Sequence, residues 1–283
     1  MSLKKHAKSF YFASFFLSTT AANRASDLYQ VCRLLDDIVD NRLHPDPISA
    51  LDTISTRINA LSKNDVICIS PDNFVQKAPL LQLIAGVQSD ATFTPYHSLE
   101  ALLAYCYQVA GTVGIMMCDI LGVHHPNAYK HAVDLGVAMQ LTNICRDVYK
   151  DAKLGRVYLP YDHIGTTSPE AILFPNDELV ASIARAIHTL MDVANHSYQS
   201  GYYGLSYIPR SERLAIFIAG KLYHAIHSRI QPYSIEHTAR IHSYQKLSIA
   251  LHCCMNFYQH PLHLFDSTHT PESLCTKYAL ADV

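Results

Sequence analysis

Apolar residues recur along most of the chain at intervals of three and four positions, the spacing that gathers them on one face of an α-helix. No stretch sustains the alternation typical of a half-buried strand, and no Asn-Gly or Asp-Gly pair marks a tight hairpin. Pro, Asn, Ser and Gly interrupt the helical pattern. We therefore predict an all-α protein with a short helix near 8–18 and longer ones at 21–41, 48–62, 74–88, 98–122, 127–152, 177–203, 211–231 and 241–258.

The interruptions between the predicted helices are short, and none is a long Ser/Gly-rich linker. A chain of 283 residues is long enough for one large domain. Its charged fraction of 16% is below the usual quarter, which indicates extensive burial. We expect a single domain over residues 1–283, with a peripheral tail at 261–283.

Charge and cysteine content exclude some classes of partner and compartment. The formal net charge is −2 and no basic stripe appears, so we expect no nucleic-acid partner. Eight cysteines are scattered without a CxxC pair, which favours small buried side chains in a reducing compartment. We expect a cytoplasmic protein.

The 17 histidines raise the question of zinc. His224 and His227, and again His260 and His263, have a suitable spacing, but no nearby carboxylate or cysteine completes either set. Ordinary surface or core histidines are the favoured interpretation.

The first 26 residues imitate a signal peptide, with lysines followed by an apolar run and small residues. The longest other apolar run, within 109–123, is too short to span a bilayer and contains Asp119. We expect no transmembrane anchor, and loose contact with a membrane surface remains open.

The segment "DDIVD" at 36–40 places carboxylates inside an otherwise apolar helix. At about 100° per residue, Asp36 and Asp40 lie about 40° apart, and Arg33 and Tyr29 share their stripe. Asp37 is rotated away by about 100°.

A second segment, "DVYKD" at 147–151, repeats the arrangement. Asp147 and Asp151 again lie about 40° apart, Asn143 and Gln140 share the stripe, and Arg146 lies on its flank.

Two such seams have two interpretations. They could face solvent and form salt bridges. The apolar neighbours favour burial, and buried carboxylates need a cation. Mg²⁺ typically uses one or two carboxylates together with substrate phosphates, so facing seams would suit a metal–diphosphate site.

The stretch "YCYQVAGTVGIMMCDILG" at 105–122 carries three glycines in one predicted helix. Each glycine costs about 1 kcal/mol relative to alanine. Close packing of a neighbouring helix is the commoner reason for such a pattern, and a long thin ligand against the backbone is the other.

Taken together, these stretches resemble the squalene/phytoene synthase family of head-to-head prenyl synthases. The resemblance runs through "KKHAKSFYFASFFL", "LYQVCRLLDDIVD", "YCYQVAGTVG", "LGVAMQLTNICRDVYKDAKLGRVYLP" and "RLAIFIAGKLYHAI", from residue 4 to about 250. In the family the first of these belongs to the mature active-site region, which argues against a signal peptide. Some relatives have Ser where this chain has Ala7, so one hydroxyl contact is absent here.

The resemblance implies an isoprenoid-synthase fold, a single helical domain around a central cavity with an Asp motif on each of two opposite walls. The implied Mg²⁺ ligands are Asp36, Asp40, Asp147 and Asp151, with Asn143 as a further candidate. The implied diphosphate-binding residues are Lys8, Ser9, Arg33, Asn143 and Arg146, with Tyr223 and Arg240 aligned more loosely. The implied residues near the reacting carbons are Tyr29, Tyr105 and Gln140, which with Arg33 and Arg146 form the expected catalytic set.

The implied reaction joins two prenyl diphosphates through a cyclopropylcarbinyl diphosphate. The helix around 213–230 is more similar to phytoene synthases, which use two geranylgeranyl diphosphates and no NADPH. Two farnesyl diphosphates, giving dehydrosqualene, squalene or presqualene diphosphate, are the alternative. We expect Mg²⁺, with Mn²⁺ as a substitute, and we expect Met116 and Met117 to limit the cavity depth. A non-catalytic assembly factor is the other class, and the sequence leaves the oligomeric state open.

Overall fold

A computed structural model describes residues 7–40, 44–61, 65–234, 239–259 and 273–280. Its first half contains α1 (Lys8–Ser14), α2 (Thr19–Asp40), α3 (Pro47–Leu61), a hairpin of β1 (Val66–Ser70) and β2 (Asn73–Gln76), α4 (Lys77–Ala91), α5 (Leu99–Cys106), a π-helical turn (Tyr107–Gly111) and α6 (Thr112–Ile120). Its second half contains α7 (Pro126–Lys153), α8 (Tyr161–Ile164), α9 (Pro169–Leu173), α10 (Asp177–Gly204), a 3₁₀ turn (Leu205–Tyr207), α11 (Arg210–His227), α12 (Ser243–Gln259) and α13 (Leu274–Lys277).

The all-α prediction is confirmed, and each long predicted helix begins and ends within four residues of its observed bounds. Local sequence explains several of these ends. Ser98 and Asn176 cap α5 and α10 by accepting hydrogen bonds from the N–H groups of Ala101 and Leu179. Pro126 lies in the first turn of α7, where its missing N–H costs nothing.

The predicted helix at 98–122 contains a π-helical turn that periodicity does not show. The turn joins α5 to α6 without breaking the rod. One extra residue in the turn rotates the side chains that follow relative to those that precede it. The residues before the turn therefore pack in the core, whereas Val109, Ala110 and Val113 face a cavity.

The expectation of no strands was wrong for residues 66–76, and the predicted helix at 74–88 begins three residues later, at Lys77. β1 and β2 pair antiparallel, with Val66 opposite Gln76. Pro71 and Asp72 form the turn, and Asp72 has a φ of 58°. The pairing was missed because the turn uses Pro-Asp rather than the Asn-Gly or Asp-Gly signal.

Helix α7 is the centre of the molecule and packs against α6, α10 and α11. The core around it falls into three clusters. One lies between α5, α7 and α10, a second joins α2, α4 and α6, and a third joins α1, α11 and α12.

Two of the three glycines in the 105–122 stretch serve close helix packing, whereas Gly122, with a φ of 69° and open space around it, follows the end of α6. A Cβ on Gly114 would lie 2.3 Å from the carbonyl oxygen of Ala132 on α7, and Gly111 is buried against Tyr107 and Val133. Gly114 also borders the cavity, so both of the anticipated reasons apply at this residue.

The cysteines match their predicted role. None of the eight, all of them among the described residues, forms a disulfide; Cys106, Cys118, Cys145, Cys253 and Cys275 are buried, whereas Cys68 is exposed. The described part of the C-terminal tail is not peripheral, because Leu274 and Cys275 belong to the core. His260 and His263 lie outside the described residues.

One stretch, Leu99–Ile120, is long and apolar enough to cross a membrane by length and composition. More than half of it is buried inside the protein. It lies where a core helix would lie, against α4 and α7.

Candidate active site

An apolar cavity of about 340 Å³ runs through the bundle. Helices α1, α2, α6, α7 and α11 supply its walls, together with the end of α10 and the residues that follow it. On α7 its lining extends from Asn143 to Ala128, which is about 22 Å at 1.5 Å per residue. Its lining is polar mainly at the end where Tyr29, Gln140, Asn143 and Tyr223 lie. This cavity suits a long apolar chain with a polar head.

The first Asp pair stands on α2, beyond the polar end of the cavity. Burial, reinforced by the charge of Asp40, raises the pKa of Asp36 to about 7. The side chain of Asp40 is 43% exposed, so it is less buried than the sequence suggested. Arg33 forms an ion pair with Asp37, one turn along α2, instead of joining the Asp36–Asp40 stripe. The buried Nε of Arg33 has no hydrogen-bond partner among the described residues.

The second Asp pair stands on α7. The guanidinium of Arg146 holds Asp147 through two hydrogen bonds, one of them 3.0 Å from Nε to Oδ1. Burial, together with the charge of Asp147, raises the pKa of Asp151 to about 7. Within the described chain, no hydrogen bond or ion pair reaches the carboxylates of Asp36 or Asp151, so each is open to a ligand.

The two walls meet across the cavity through Tyr223 of α11. Burial raises the pKa of the Tyr223 phenol, and the charges that act on it come from Arg146 and Asp147 as well as the phenol of Tyr29. Asn143 donates a hydrogen bond to Gln140 over 3.3 Å. The structure thus gathers the predicted residues of α2, α7 and α11 at one end of the cavity.

Tyr105, predicted near the reacting carbons, does not border the cavity. It is buried, and its hydroxyl donates a 2.8 Å hydrogen bond to Asp90 at the end of α4. Tyr158 donates a 2.8 Å bond to the other oxygen of the same carboxylate. Burial raises the pKa of Asp90 in spite of these two bonds and the nearby charge of Arg156.

Asp90, Arg156 and Tyr158 were not predicted as site residues. Arg156 and Tyr158 lie in the segment "LGRVYLP", which is part of the resemblance to the family, so the sequence did point to these two residues. Asp90 had a weaker signal, a single carboxylate at the end of an apolar helix. Its charge acts on Asp36, which places it beside the first Asp pair.

The remaining predicted residues lie at the edge. Lys8 is exposed and Ser9 half-buried at the start of α1, close in sequence to Phe10, whose ring packs 5.1 Å from that of Tyr223. Arg240 is exposed, and no described contact joins it to the site. Met117 borders the cavity, whereas Met116 is fully buried in the second core cluster.

The donor set fits Mg²⁺ in part. Carboxylate and amide oxygens are the ligands that Mg²⁺ prefers. Among the described His, Cys, Asp and Glu side chains, no group of three converges as a ready-made metal centre. The residues present therefore fit an ion that takes one or two ligands from each wall and the others from a substrate diphosphate.

A second depression, of about 460 Å³, lies beside the hairpin and is lined by Arg24, Asp119 and Tyr129 among others. It contains none of the predicted site residues. The apolar cavity with its carboxylate end is the stronger candidate.

Comparison with known proteins agrees with this geometry. The sequence profile of the squalene/phytoene synthase family matches residues 3–236, so the chain belongs to that family and is a prenyltransferase. It is 33% identical over 222 residues to a 15-cis-phytoene synthase from Paracoccus sp., covering 72% of this chain and 71% of the relative. It is also 33% identical over 234 residues to a phytoene synthase from Rhodobacter capsulatus, covering 78% and 69%.

Solved structures give the same fold. A dehydrosqualene synthase in complex with a ligand superposes with a TM-score of 0.78 at 26% identity, covering 92% of this chain and 95% of the other. A squalene synthase from Alicyclobacillus acidocaldarius superposes with a TM-score of 0.66 at 22% identity, covering 80% and 88%. The isoprenoid-synthase fold implied by the sequence is therefore confirmed.

Proposed function

We propose that the protein condenses two molecules of geranylgeranyl diphosphate head to head into 15-cis-phytoene, through a cyclopropylcarbinyl diphosphate and without NADPH. The observation that carries this proposal is a long apolar cavity whose polar end lies between α2 and α7, the two helices that carry the carboxylate pairs. The cavity matches the isoprenoid tail, and the carboxylate end matches a diphosphate neutralised by cations.

Each group at the junction has a role in the proposed reaction. Asp36, Asp40, Asp147 and Asp151, with Asn143, would hold Mg²⁺, which supplies charge neutralisation for the departing diphosphate. Arg146 and Arg33 would bind diphosphate oxygens through guanidinium N–H groups other than those that hold Asp147 and Asp37, because a guanidinium has five N–H donors. The rings of Tyr29 and Tyr223 would face the allylic cation. The apolar walls exclude water, which would otherwise quench it.

Two farnesyl diphosphates are the second candidate substrate pair. The structural similarity to a dehydrosqualene synthase favours it, whereas the similarity to phytoene synthases favours the twenty-carbon substrate. Labelled forms of both substrates should be offered in competition, with and without NADPH. We expect phytoene from the twenty-carbon substrate. Consumption of the fifteen-carbon substrate alone would replace our assignment with the alternative.

Metal dependence is tested separately. Asp36→Asn, Asp40→Asn, Asp147→Asn and Asp151→Asn should each lower turnover by orders of magnitude while circular dichroism stays helical. Asp177→Asn, at an exposed position on α10, is the matched control. Chelation should abolish turnover, and Mn²⁺ should restore it. If neither substrate is consumed with Mg²⁺ present, a non-catalytic binding role takes the place of this proposal.

The product would be too apolar to leave through water, so we further propose that it passes to an anionic membrane surface. Helix α12 presents Tyr244, Leu247, Leu251 and Met255 to solvent, each more than half exposed and within about 80° of one another on the helix. Residues 7–26 and 239–259, which include α1 and α12, contain no Asp or Glu. Both helices pack on α11, and α1 also borders the cavity.

Flotation with vesicles that contain anionic lipid tests this surface. The double variant Leu247→Ser, Leu251→Ser should lose most of the binding of the unchanged protein. Phe174→Ser, at an 85% exposed position on another part of the chain, should keep it. Self-association that is lost in the same double variant, without vesicle binding, would instead make this face a contact between copies of the chain.

A further inference from the structure

The site contains an internal cation that links its two carboxylate walls. Arg156 places Nη2 3.0 Å from Oδ1 of Asp40 on α2, and its side chain is only 15% exposed. Its charge also acts on Asp90 at the end of α4 and on Asp151 of α7. One guanidinium therefore bonds one carboxylate and acts through its charge on two others, and the three carboxylates come from three helices.

The backbone fixes the position of Arg156. The N–H of Arg156 donates to the carbonyl of Asp151, and the N–H of Gly155 donates to that of Ala152. Gly155 has a φ of 79°, which completes a Schellman motif at the end of α7. The chain turns back at this point, so the side chain of Arg156 returns to the carboxylate end of the cavity rather than continuing along the helix axis.

Arg156 differs from an ordinary surface cation because it lies among several carboxylates. The charges of Asp40 and Asp90 act on Asp36, the charge of Asp147 acts on Asp151, and the charge of Arg156 acts on both groups. Arg146 neutralises Asp147 beside it on α7. Arg156 is the corresponding cation for Asp40, and it comes from a different part of the chain, 116 residues away in sequence.

We propose that Arg156 is a displaceable counter-ion that occupies Asp40 while no metal is bound, so that a divalent cation has to release it. This inference rests on the proposed metal-dependent function. The same contact that stabilises the metal-free protein then weakens metal binding. Release of Arg156 frees a positive charge at the carboxylate end of the cavity. Because Arg156 lies in the segment 154–160, metal binding would then change the contacts of that segment.

Binding of Mn²⁺ alone, without any prenyl diphosphate, tests the proposal through the free Mn²⁺ signal in electron paramagnetic resonance. Removing a positive charge beside a ligand should tighten binding, so Arg156→Gln should bind Mn²⁺ at least about threefold more tightly than the unchanged protein. Arg156→Lys keeps the charge and should stay close to the unchanged affinity. Lys153→Gln is the matched control for net charge, because Lys153 is exposed one turn away and packs over Tyr149.

A second readout is thermal unfolding. Without metal, Arg156→Gln should melt at a lower temperature than the unchanged protein, and saturating Mn²⁺ should narrow that gap. Equal or weaker Mn²⁺ affinity in Arg156→Gln, with normal binding by the unchanged protein, would overturn the counter-ion role and leave the proposed function standing. If the unchanged protein binds no Mn²⁺, the metal-dependent function and this inference both fail.

Discussion

Gly136 of α7 lies directly against Ala110 of the π-helical turn, where a Cβ on the glycine would come within 2.3 Å of the carbonyl oxygen of Ala110. One helical turn away, Gly114 meets the carbonyl of Ala132 at the same distance. The two contacts fix the separation of α6 and α7, which together form one wall of the cavity. The width of the cavity therefore depends on two positions without a side chain.

Gly114→Ala should destabilise the protein, because its neighbour is backbone and cannot rotate away. We expect the clash to cost about 1–3 kcal/mol in the free energy of unfolding against a gain of about 1 kcal/mol in helix propensity, a net loss of up to about 2 kcal/mol. Urea unfolding measures it. Gly220→Ala is the control, since its nearest atom belongs to the Tyr202 side chain and can move. Equal stability of the two variants would contradict the proposed backbone clash.

Met117 and Met116 make a matched pair for substrate length. Met117→Ala should widen the cavity and raise the preference for the twenty-carbon over the fifteen-carbon substrate, measured as the ratio of their kcat/KM values. Met116→Ala should leave that ratio unchanged while lowering the free energy of unfolding by about 2–5 kcal/mol, because it empties a packed core position. A changed ratio in Met116→Ala alone would show that the cavity floor lies elsewhere.

Arg146→Lys should lower kcat by about tenfold or more, because an ammonium cannot copy the two parallel hydrogen bonds to Asp147. A tenfold loss corresponds to about 1.4 kcal/mol of transition-state stabilisation. Steady-state kinetics at saturating metal measures the effect. Arg185→Lys, an exchange at a surface residue that bonds Ser182, controls for the substitution itself. An unchanged kcat in Arg146→Lys would show that turnover does not require the paired hydrogen bonds of the guanidinium.

Asp134 should make stability depend on pH. It is fully buried on α7 and accepts hydrogen bonds from Ser200 and from the N–H of Cys275, which tie the C-terminal segment to the core. Burial raises its pKa to about 6 in spite of these bonds. Since the folded state holds this proton more tightly than the unfolded state does, stability from this group falls as pH rises from about 4 to about 6.

Asp134→Asn removes that titration. As pH rises over the same interval, the free energy of unfolding of the unchanged protein should fall relative to that of the variant. Urea unfolding at several pH values measures it, and the comparison cancels the titration of other groups. A difference that does not vary with pH would contradict the raised pKa of Asp134.

The sequence predicted the long helices and both carboxylate seams because these depend on local periodicity. Asp36 and Asp40 are one turn apart, so their shared face follows from the helix alone. The contacts that complete the site depend on distant segments. Tyr158 reaches Asp90 across 68 residues, a pairing that helical spacing cannot show.

Two local features also escaped prediction. The partner of Arg33 is Asp37 rather than the Asp36–Asp40 seam, because both arrangements are compatible with positions three or four residues apart on a helix. The hairpin at 66–76 was missed because its turn carries an unusual residue pair with Asp72 in the left-handed region.

In the helix formed by α5, the π-helical turn at Tyr107–Gly111 and α6, the number of residues in the turn sets how the side chains after it are rotated relative to those before it. A chain with one residue fewer there would continue as a regular α-helix, and everything on one side would rotate by about 100° relative to the other. Gly114 would turn from Ala132, and Met117 would leave the cavity. A single-residue deletion would therefore exchange the cavity-facing surface as a whole, so insertions and deletions in this turn would change the cavity along its whole wall, whereas Met117→Ala changes it at one position.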